Sequence, residues 1–135
     1  MSERAKNIIS LIVQFGQFVN IPYSAIPFRT ALWSAVEKFP ILSEFEFSLK
    51  EGELGPQSHI FDSAFIALRS ERRFVYAQHH PAPRPHTTEP DILEVRPLKN
   101  EDISFLSRSF TQDERDQMKR VSRIVAQAFQ SFIRK

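Results

Sequence analysis

The sequence predicts an α-rich α+β domain that contains a small antiparallel β-hairpin and a long C-terminal helix. Apolar residues recur at spacings of three and four in several segments, which indicates amphipathic helices. Two short runs rich in β-branched and aromatic residues flank a proline-rich segment, which indicates a hairpin with a long loop. The chain has 135 residues, the usual size for one domain with one core. We therefore expect a single domain over residues 1–135.

The composition is that of a globular protein. Hydrophobic residues make up 41% of the chain and charged residues 25%, and the 13 phenylalanines predict a core packed largely by aromatic rings. Cysteine is absent, which excludes disulfides and thiolate metal sites and fits a reducing compartment. No apolar run approaches the length of a membrane span, and the N-terminus lacks the features of a secretory signal. We expect a cytoplasmic protein with no membrane contact.

Two helices are predicted in the first part of the chain, over residues 4–20 and from the prolines of "NIPYSAIPF" to Pro40. The apolar stripe of the first consists of Ile8, Leu11, Ile12, Phe15, Phe18 and Val19. The stripe of the second consists of Phe28, Ala31, Leu32, Ala35, Val36 and Phe39. Residues 44–49 then alternate between apolar and polar, which predicts a strand with one buried face.

A third helix and a hairpin follow the turn "EGELGP" at residues 51–56. Helical spacing over residues 57–73 ends in the basic sequence "RSERR". The runs "FVYA" at 74–77 and "DILEVRPL" at 91–98 read as paired strands. Between them, residues 78–90 contain four prolines, which exclude regular structure. This segment is therefore predicted to be an exposed hairpin loop.

The remainder of the chain is predicted to be helical. Asn100 is a candidate N-cap for a short helix. Thr111 and Glu114 have the spacing of a capping box, which would open a last helix over residues 112–134.

Three helices with a short strand, followed by a hairpin, is the order of a winged-helix-like bundle, in which the third helix enters the major groove of DNA. On this hypothesis the DNA contacts are His59, Arg69, Arg72 and Arg73 on the third helix and Arg84 on the wing loop. Arginine suits phosphate because its fork of donors matches the phosphate oxygens. The alternative is a solvated helix end whose cations interact favourably with the helix dipole. The net charge of +2 is too small to decide between them.

The stretch "FEFSLKEGELGPQSHIFDSAFIALRSERRFV" resembles a segment of phage-associated and Panacea-type antitoxin domains, which are winged-helix-like. The resemblance covers residues 5–80 and is carried by Gly55, Pro56, Ser58, Leu68 and Val75 with their spacing. It implies a non-enzymatic helical domain that acts through contact with protein or DNA.

No constellation of residues points to catalysis or to a cofactor. His79, His80 and His86 share one loop, but their spacing matches no zinc pattern. The three glycines of the chain cannot form a dinucleotide fingerprint or a P-loop, and no nucleophile elbow is present. We therefore expect no catalytic, cofactor-binding or metal-binding residues, and a protein that is not an enzyme.

The last helix has a long apolar face with two interpretations. Its members are Met118, Val121, Val125, Phe129 and Phe132. The face would either form the interface of a homodimer, as appended helices of winged-helix domains do, or pack across the first two helices. Both interpretations remain open at the level of sequence.

The function that the sequence favours is a transcription regulator that binds double-stranded DNA through helix 57–73 and loop 78–90. The alternative is a protein-interaction adaptor or antitoxin-like neutraliser, which would bind a protein partner with its apolar helix faces or with the "PAPRP" segment at 81–85.

Overall fold

A computed structural model describes residues 2–50, 55–76 and 92–133, without the side chains of Tyr76 and residues 131–133. The helices are α1 (Glu3–Phe15), α2 (Ile26–Ala35), α3 (His59–Ser70), α4 (Asn100–Ser107) and α5 (Gln112–Ile133), with a 3-10 helix over Pro40–Phe45. The strands are β1 (Asn20–Pro22), β2 (Phe74–Tyr76) and β3 (Ile92–Val95). The α-rich α+β class predicted from the sequence is confirmed.

The strands form a three-stranded antiparallel sheet with β3 in the centre, in the order β1-β3-β2. Val75 lies opposite Glu94, which confirms the predicted hairpin pairing, and Ile21 lies opposite Leu93. The strand β1 was missed because it is only three residues long and ends at a proline. A proline is tolerated there because β1 is an edge strand, where its missing N–H breaks no ladder.

The predicted strand at residues 44–49 is wrong. The 3-10 helix extends to Phe45, and Glu46 then adopts a left-handed backbone conformation with φ of 50°. The alternation has another cause, because the rings of Phe45 and Phe47 both pack against Phe61 at centroid distances of 5.8 and 6.5 Å. A single bridge from Ser48 to Gln57 replaces the expected strand pairing.

Helix α1 is the centre of the molecule and packs against both α3 and α5. Ile9 and Val13 lie outside the predicted stripe, yet both are completely buried. Arg4 and Phe15 are eleven residues apart, close to three full turns, so they lie on one side of α1. Both contact α5, through Glu114 and Lys119 respectively. The two outer helices can therefore be placed by their contacts with α1.

Lys6 lies on the other side of α1, because it is more than half a turn from Arg4. Its ammonium group is 2.9 Å from the carboxylate of Glu71, the residue after α3. Helices α3 and α5 thus flank α1 on opposite sides.

The aromatic core joins the outer helices through Phe28 of α2. Its ring packs edge-on against Phe61 and Phe65 of α3, with centroid distances of 5.4 and 6.3 Å. It packs in the same manner against Phe129 of α5 at 5.4 Å. One side chain therefore holds α2, α3 and α5 together.

The apolar face of α5 is part of this core. Met118, Val121 and Val125 are completely buried, and Phe129 is 3% exposed. The prediction that these four side chains form a homodimer interface is wrong, because α1 and α2 already cover them. The alternative, packing across the first two helices, is what the structure has. The side chain of Phe132 lies outside the described part of the chain.

Helix boundaries follow local capping chemistry. The Thr111–Glu114 capping box is confirmed: Glu114 N–H donates to Thr111 Oγ1 at 3.1 Å, and Thr111 N–H donates to Glu114 Oε1 at 2.9 Å. At α3, Phe61 N–H donates to the Ser58 hydroxyl at 2.9 Å. Asn100 is not a cap, because α4 already begins there and Lys99 occupies the capping position.

Candidate nucleic-acid interface

Helix α3 has two distinct faces. Phe61, Ala64, Phe65 and Leu68 are buried against the core. His59, Ser63, Ile66 and Ser70 are all exposed. Their spacing of four, three and four places them in one line along the helix. An exposed outer face therefore runs the length of α3, about 18 Å for its twelve residues.

The chemistry of this outer face suits the edges of DNA bases. The hydroxyls of Ser63 and Ser70 donate and accept hydrogen bonds, and serine pairs with more than one base. Ile66 is 61% exposed, and an apolar group of this kind can contact the methyl of thymine. The face thus offers one apolar contact among three polar side chains.

The start of α3 is held in place by Arg29 of α2. The guanidinium of this buried arginine is 2.8 Å from the carboxylate of Asp62 and donates a second bond to the carbonyl of Pro56 at 3.2 Å. Because Pro56 precedes the helix and Asp62 lies in its first turn, these bonds fix the direction of α3. They also neutralise the acid that lies beside the outer face.

Arg69 is engaged within the fold. Its guanidinium carbon lies 4.5 Å from the ring centroid of Tyr23, which lies between β1 and α2. Such stacking leaves the edge of the guanidinium free to donate hydrogen bonds. Arg69 therefore contributes a positioned charge near the end of α3.

The chain leaves α3 through a Schellman motif that contains two arginines. Arg73 N–H donates to the carbonyl of Leu68 at 2.9 Å, and Arg72 N–H donates to that of Arg69 at 3.0 Å. Arg72 has φ of 61°, in the left-handed region where glycine is the usual residue. The side chains of Arg72 and Arg73 are exposed.

A third arginine lies beside these two. Arg96 N–H donates to the carbonyl of Arg73 at 2.9 Å, and the Arg96 side chain is exposed. We call Arg72, Arg73 and Arg96 the arginine cluster. None of the ion pairs formed among the described residues involves them. Arg96 was not among the predicted contacts, although pairing of Phe74 with Val95 places it opposite Arg73.

Glu71 does not neutralise the cluster, although it lies within the same "RSERR" sequence. Its carboxylate accepts two hydrogen bonds from the Lys6 ammonium, at 2.9 and 3.1 Å. The bond to Glu71 raises the pKa of Lys6, against the opposing effect of burial. The acidic charge is thus paired with a lysine of α1.

The predicted DNA contacts fall into separate groups. His59 is exposed at the first turn of α3, whereas Arg69, Arg72 and Arg73 lie near or beyond its end. Arg84 and the loop 78–90 lie outside the described residues, as do His79, His80 and His86.

In residues 2–50, 55–76 and 92–133, no three histidines, cysteines or acids are grouped so that they could hold a metal. Over these same ranges, no helix has the length and apolar character to cross a membrane.

Comparisons of the chain with models of protein families, with curated proteins and with solved structures find no match. The resemblance to Panacea-type antitoxin domains therefore stays a prediction.

Proposed function

We propose that this protein is a non-enzymatic regulator that binds double-stranded DNA, with the outer face of α3 in the major groove and the arginine cluster on the phosphates. The observation that carries the proposal is the line of exposed side chains on a helix whose direction is fixed from beneath. A recognition helix needs both properties, because its side chains must reach base edges in a defined register.

Local charge supports the proposal better than the net charge does. Asp62 is paired with Arg29, and Glu71 is paired with Lys6. These two acids of the described residues are therefore paired with cations of other helices and not with the arginine cluster. Attraction of phosphates depends on such local potential more than on total charge.

The conformation of Arg72 supports a role for its side chain. A non-glycine residue in the left-handed region costs about 1 kcal/mol, and glycine would avoid that cost. Strained positions of this kind are often found where a side chain serves function. The positive charge of Arg72, at the C-terminal end of the outer face of α3, would serve such a function by attracting phosphate.

The proposal includes Arg84 and the loop 78–90 as a further phosphate contact, since this segment joins the neighbouring strands β2 and β3. It also places the protein in the cytoplasm, in keeping with its lack of cysteine.

The test is fluorescence anisotropy of a labelled duplex of random sequence at about 50 mM and about 200 mM salt, where counterion release predicts strong binding and weak binding respectively. Arg73→Ala should weaken binding and lower the salt slope by about 1. Arg120→Ala on α5 is the matched control and should change neither value. An unchanged affinity and slope for Arg73→Ala would remove the proposed phosphate contact.

A second candidate function is a protein-binding adaptor or antitoxin-like neutraliser, favoured by the outer side of α2. Ile26 and Trp33 are 44% and 37% exposed and lie seven residues apart, on one face of the helix. Exposed apolar side chains in line can mark a protein interface. If the wild-type protein ignores DNA at both salt concentrations, this second function replaces the first.

A further inference from the structure

The middle of α5 carries a cationic strip that the DNA-binding proposal does not use. Lys119, Arg120 and Arg123 are exposed, and none of them takes part in an ion pair formed within the described residues. The acids Asp113 and Asp116 lie nearer the start of the helix, where each accepts a hydrogen bond from a glutamine four residues away in the chain. Asp116 lies one turn before Lys119 and Arg120, whereas Arg123 has no acid within one turn of α5 on either side.

A cavity of about 300 Å³ opens beside this strip, between the end of α1 and the middle of α5. It is lined by Phe15, Gly16, Lys119, Ser122, Arg123 and Ala126. Lys119 and Arg123 are one helical turn apart, so they stand on the same side of the opening. The Lys119 ammonium lies 5.5 Å from the centroid of the Phe15 ring.

The floor of the cavity is apolar and firmly built. The Ser122 hydroxyl donates to the carbonyl of Lys119 at 2.6 Å, so its proton does not need an acceptor on a ligand. A Cβ on Gly16 would lie only 2.7 Å from Cε2 of Phe18, so glycine is needed for the close approach of that ring. Phe18 in turn packs on Phe129 at a centroid distance of 5.3 Å.

We propose that this cavity docks an acidic segment of a partner protein. An apolar side chain of the segment would lie on Phe15 and Ala126, and carboxylates on either side of it would pair with Lys119 and Arg123. A protein segment fits better than a nucleic acid backbone, because the backbone supplies the charge but no apolar group for the floor. The cationic rim fits an acidic partner segment, and the apolar floor fits a bulky apolar residue within that segment.

This docking site is independent of DNA binding, since α5 and α3 lie on opposite sides of α1. A molecule that holds DNA on α3 would keep its α5 surface open to a partner. The two surfaces together would link a DNA site to a second protein.

The experiment titrates the ¹⁵N-labelled full-length protein with an acidic pentapeptide that has a central phenylalanine, and follows amide chemical shifts. Shift changes should centre on Phe15, Gly16, Lys119 and Arg123. Two control peptides, one with amides in place of the carboxylates and one with a central alanine, should each bind at least about fivefold more weakly, as loss of about 1 kcal/mol implies.

Variants separate the rim from the floor. Lys119→Gln with Arg123→Gln should weaken peptide binding about tenfold by removing two charge pairs, and Arg108→Gln, an exposed cation at the end of α4, should have no effect. Ala126→Leu should block the floor while it keeps both charges. The proposal fails if the acidic peptide shifts no residue of the cavity, if the amide peptide binds equally well, or if only duplex DNA moves these resonances.

Discussion

Helices α3 and α5 pack on opposite sides of α1 with similar apolar inner faces, yet their outer faces differ. The outer face of α3 is a line of histidine, serine and isoleucine, with its cations gathered beyond the C-terminal end. The outer face of α5 has its cations in the middle, beside an apolar cavity. Equal burial on the inside is thus combined with two different surfaces on the outside.

The difference shows why the net charge of +2 says little about partners. On the α3 side, Arg29 and Lys6 pair with Asp62 and Glu71, and the exposed arginine cluster takes part in none of the ion pairs found among the described residues. On the α5 side, the acids lie before the cationic strip, and Arg123 at its far end has no acid within one turn of the helix. Separation of charges along each helix creates local fields that a sum over the chain conceals.

The largest expected effect is loss of the core that both helices share. Phe28→Ala should lower the free energy of unfolding by about 4 kcal/mol, because it leaves a cavity among three aromatic rings. Urea denaturation measures this change. Phe105→Ala, at a side chain that is 67% exposed, is the matched control and should cost less than about 0.5 kcal/mol. Similar losses in the two variants would contradict the described core.

A smaller loss of stability should be confined to α3 and leave α5 unchanged. Asp62→Ala leaves the buried Arg29 guanidinium without its carboxylate and should cost about 2 kcal/mol. Hydrogen exchange should become faster in the first turns of α3 while α5 stays protected. Arg29→Met removes the stranded charge as well, so we expect Asp62→Ala to cost less in that background. Equal acceleration in both helices would show that the ion pair does not act on α3 alone.

Replacement of Arg72 by glycine should raise stability. The left-handed position favours glycine, so Arg72→Gly is expected to add about 1 kcal/mol to the free energy of unfolding. The same variant should weaken DNA binding, because it removes one cation of the arginine cluster. Thermal unfolding and anisotropy measure the two effects on one sample. A gain in stability with unchanged DNA affinity would leave the strain at Arg72 without a functional explanation.

The smallest effects should come from pH, with opposite signs on the two sides of α1. The Thr111 N–H and then Arg4 lower the pKa of Glu114 at the start of α5. Its stabilising contribution is complete above the ordinary carboxyl pKa of 4.5 and is lost as the pH falls through the lowered value. Glu71 raises the pKa of Lys6, so that contribution is complete below the ordinary value of 10.5 and is lost as the pH rises through the raised one.

Each contribution should stay below about 1 kcal/mol, since both groups have partly exposed partners. Stability measured across pH should lose part of its acid dependence in Glu114→Gln and part of its alkaline dependence in Lys6→Met. Loss of both dependences in either variant would show that the two ion pairs are coupled through α1.

Much of the fold could be predicted because local patterns and burial agree. Helix α3, the hairpin strands and the capping box at Thr111 follow from spacing, β-propensity and hydrogen-bonding chemistry. The apolar–polar alternation at residues 44–49 led to a wrong strand prediction. Phe45 and Phe47 both pack against Phe61, and a strand is not the only backbone conformation that allows this. Strand β1 is stabilised by its partner β3, which no local pattern reveals.

The candidate site was predictable only in part for the same reason. The arginines of "RSERR" could be identified from the sequence, but the pairing of Glu71 with Lys6 and the stacking of Arg69 on Tyr23 involve residues of other parts of the chain. The face of α5 that was predicted to be a dimer interface is covered by α1 and α2. The hydrophobic pattern of a helix shows that one face is buried but does not show which surface buries it. The cavity beside Phe15 depends on two helices that are distant in sequence.

The most direct test of the central claim is a map of the DNA contact on ¹⁵N-labelled protein, with a random-sequence duplex at low salt. We expect the amide shifts of Ser63, Ile66, Ser70 and Arg73 to change, while those of Lys119 and Arg123 of α5 stay unchanged. Shift changes confined to α5, or none on α3, would contradict the assignment of α3 as the DNA-binding surface.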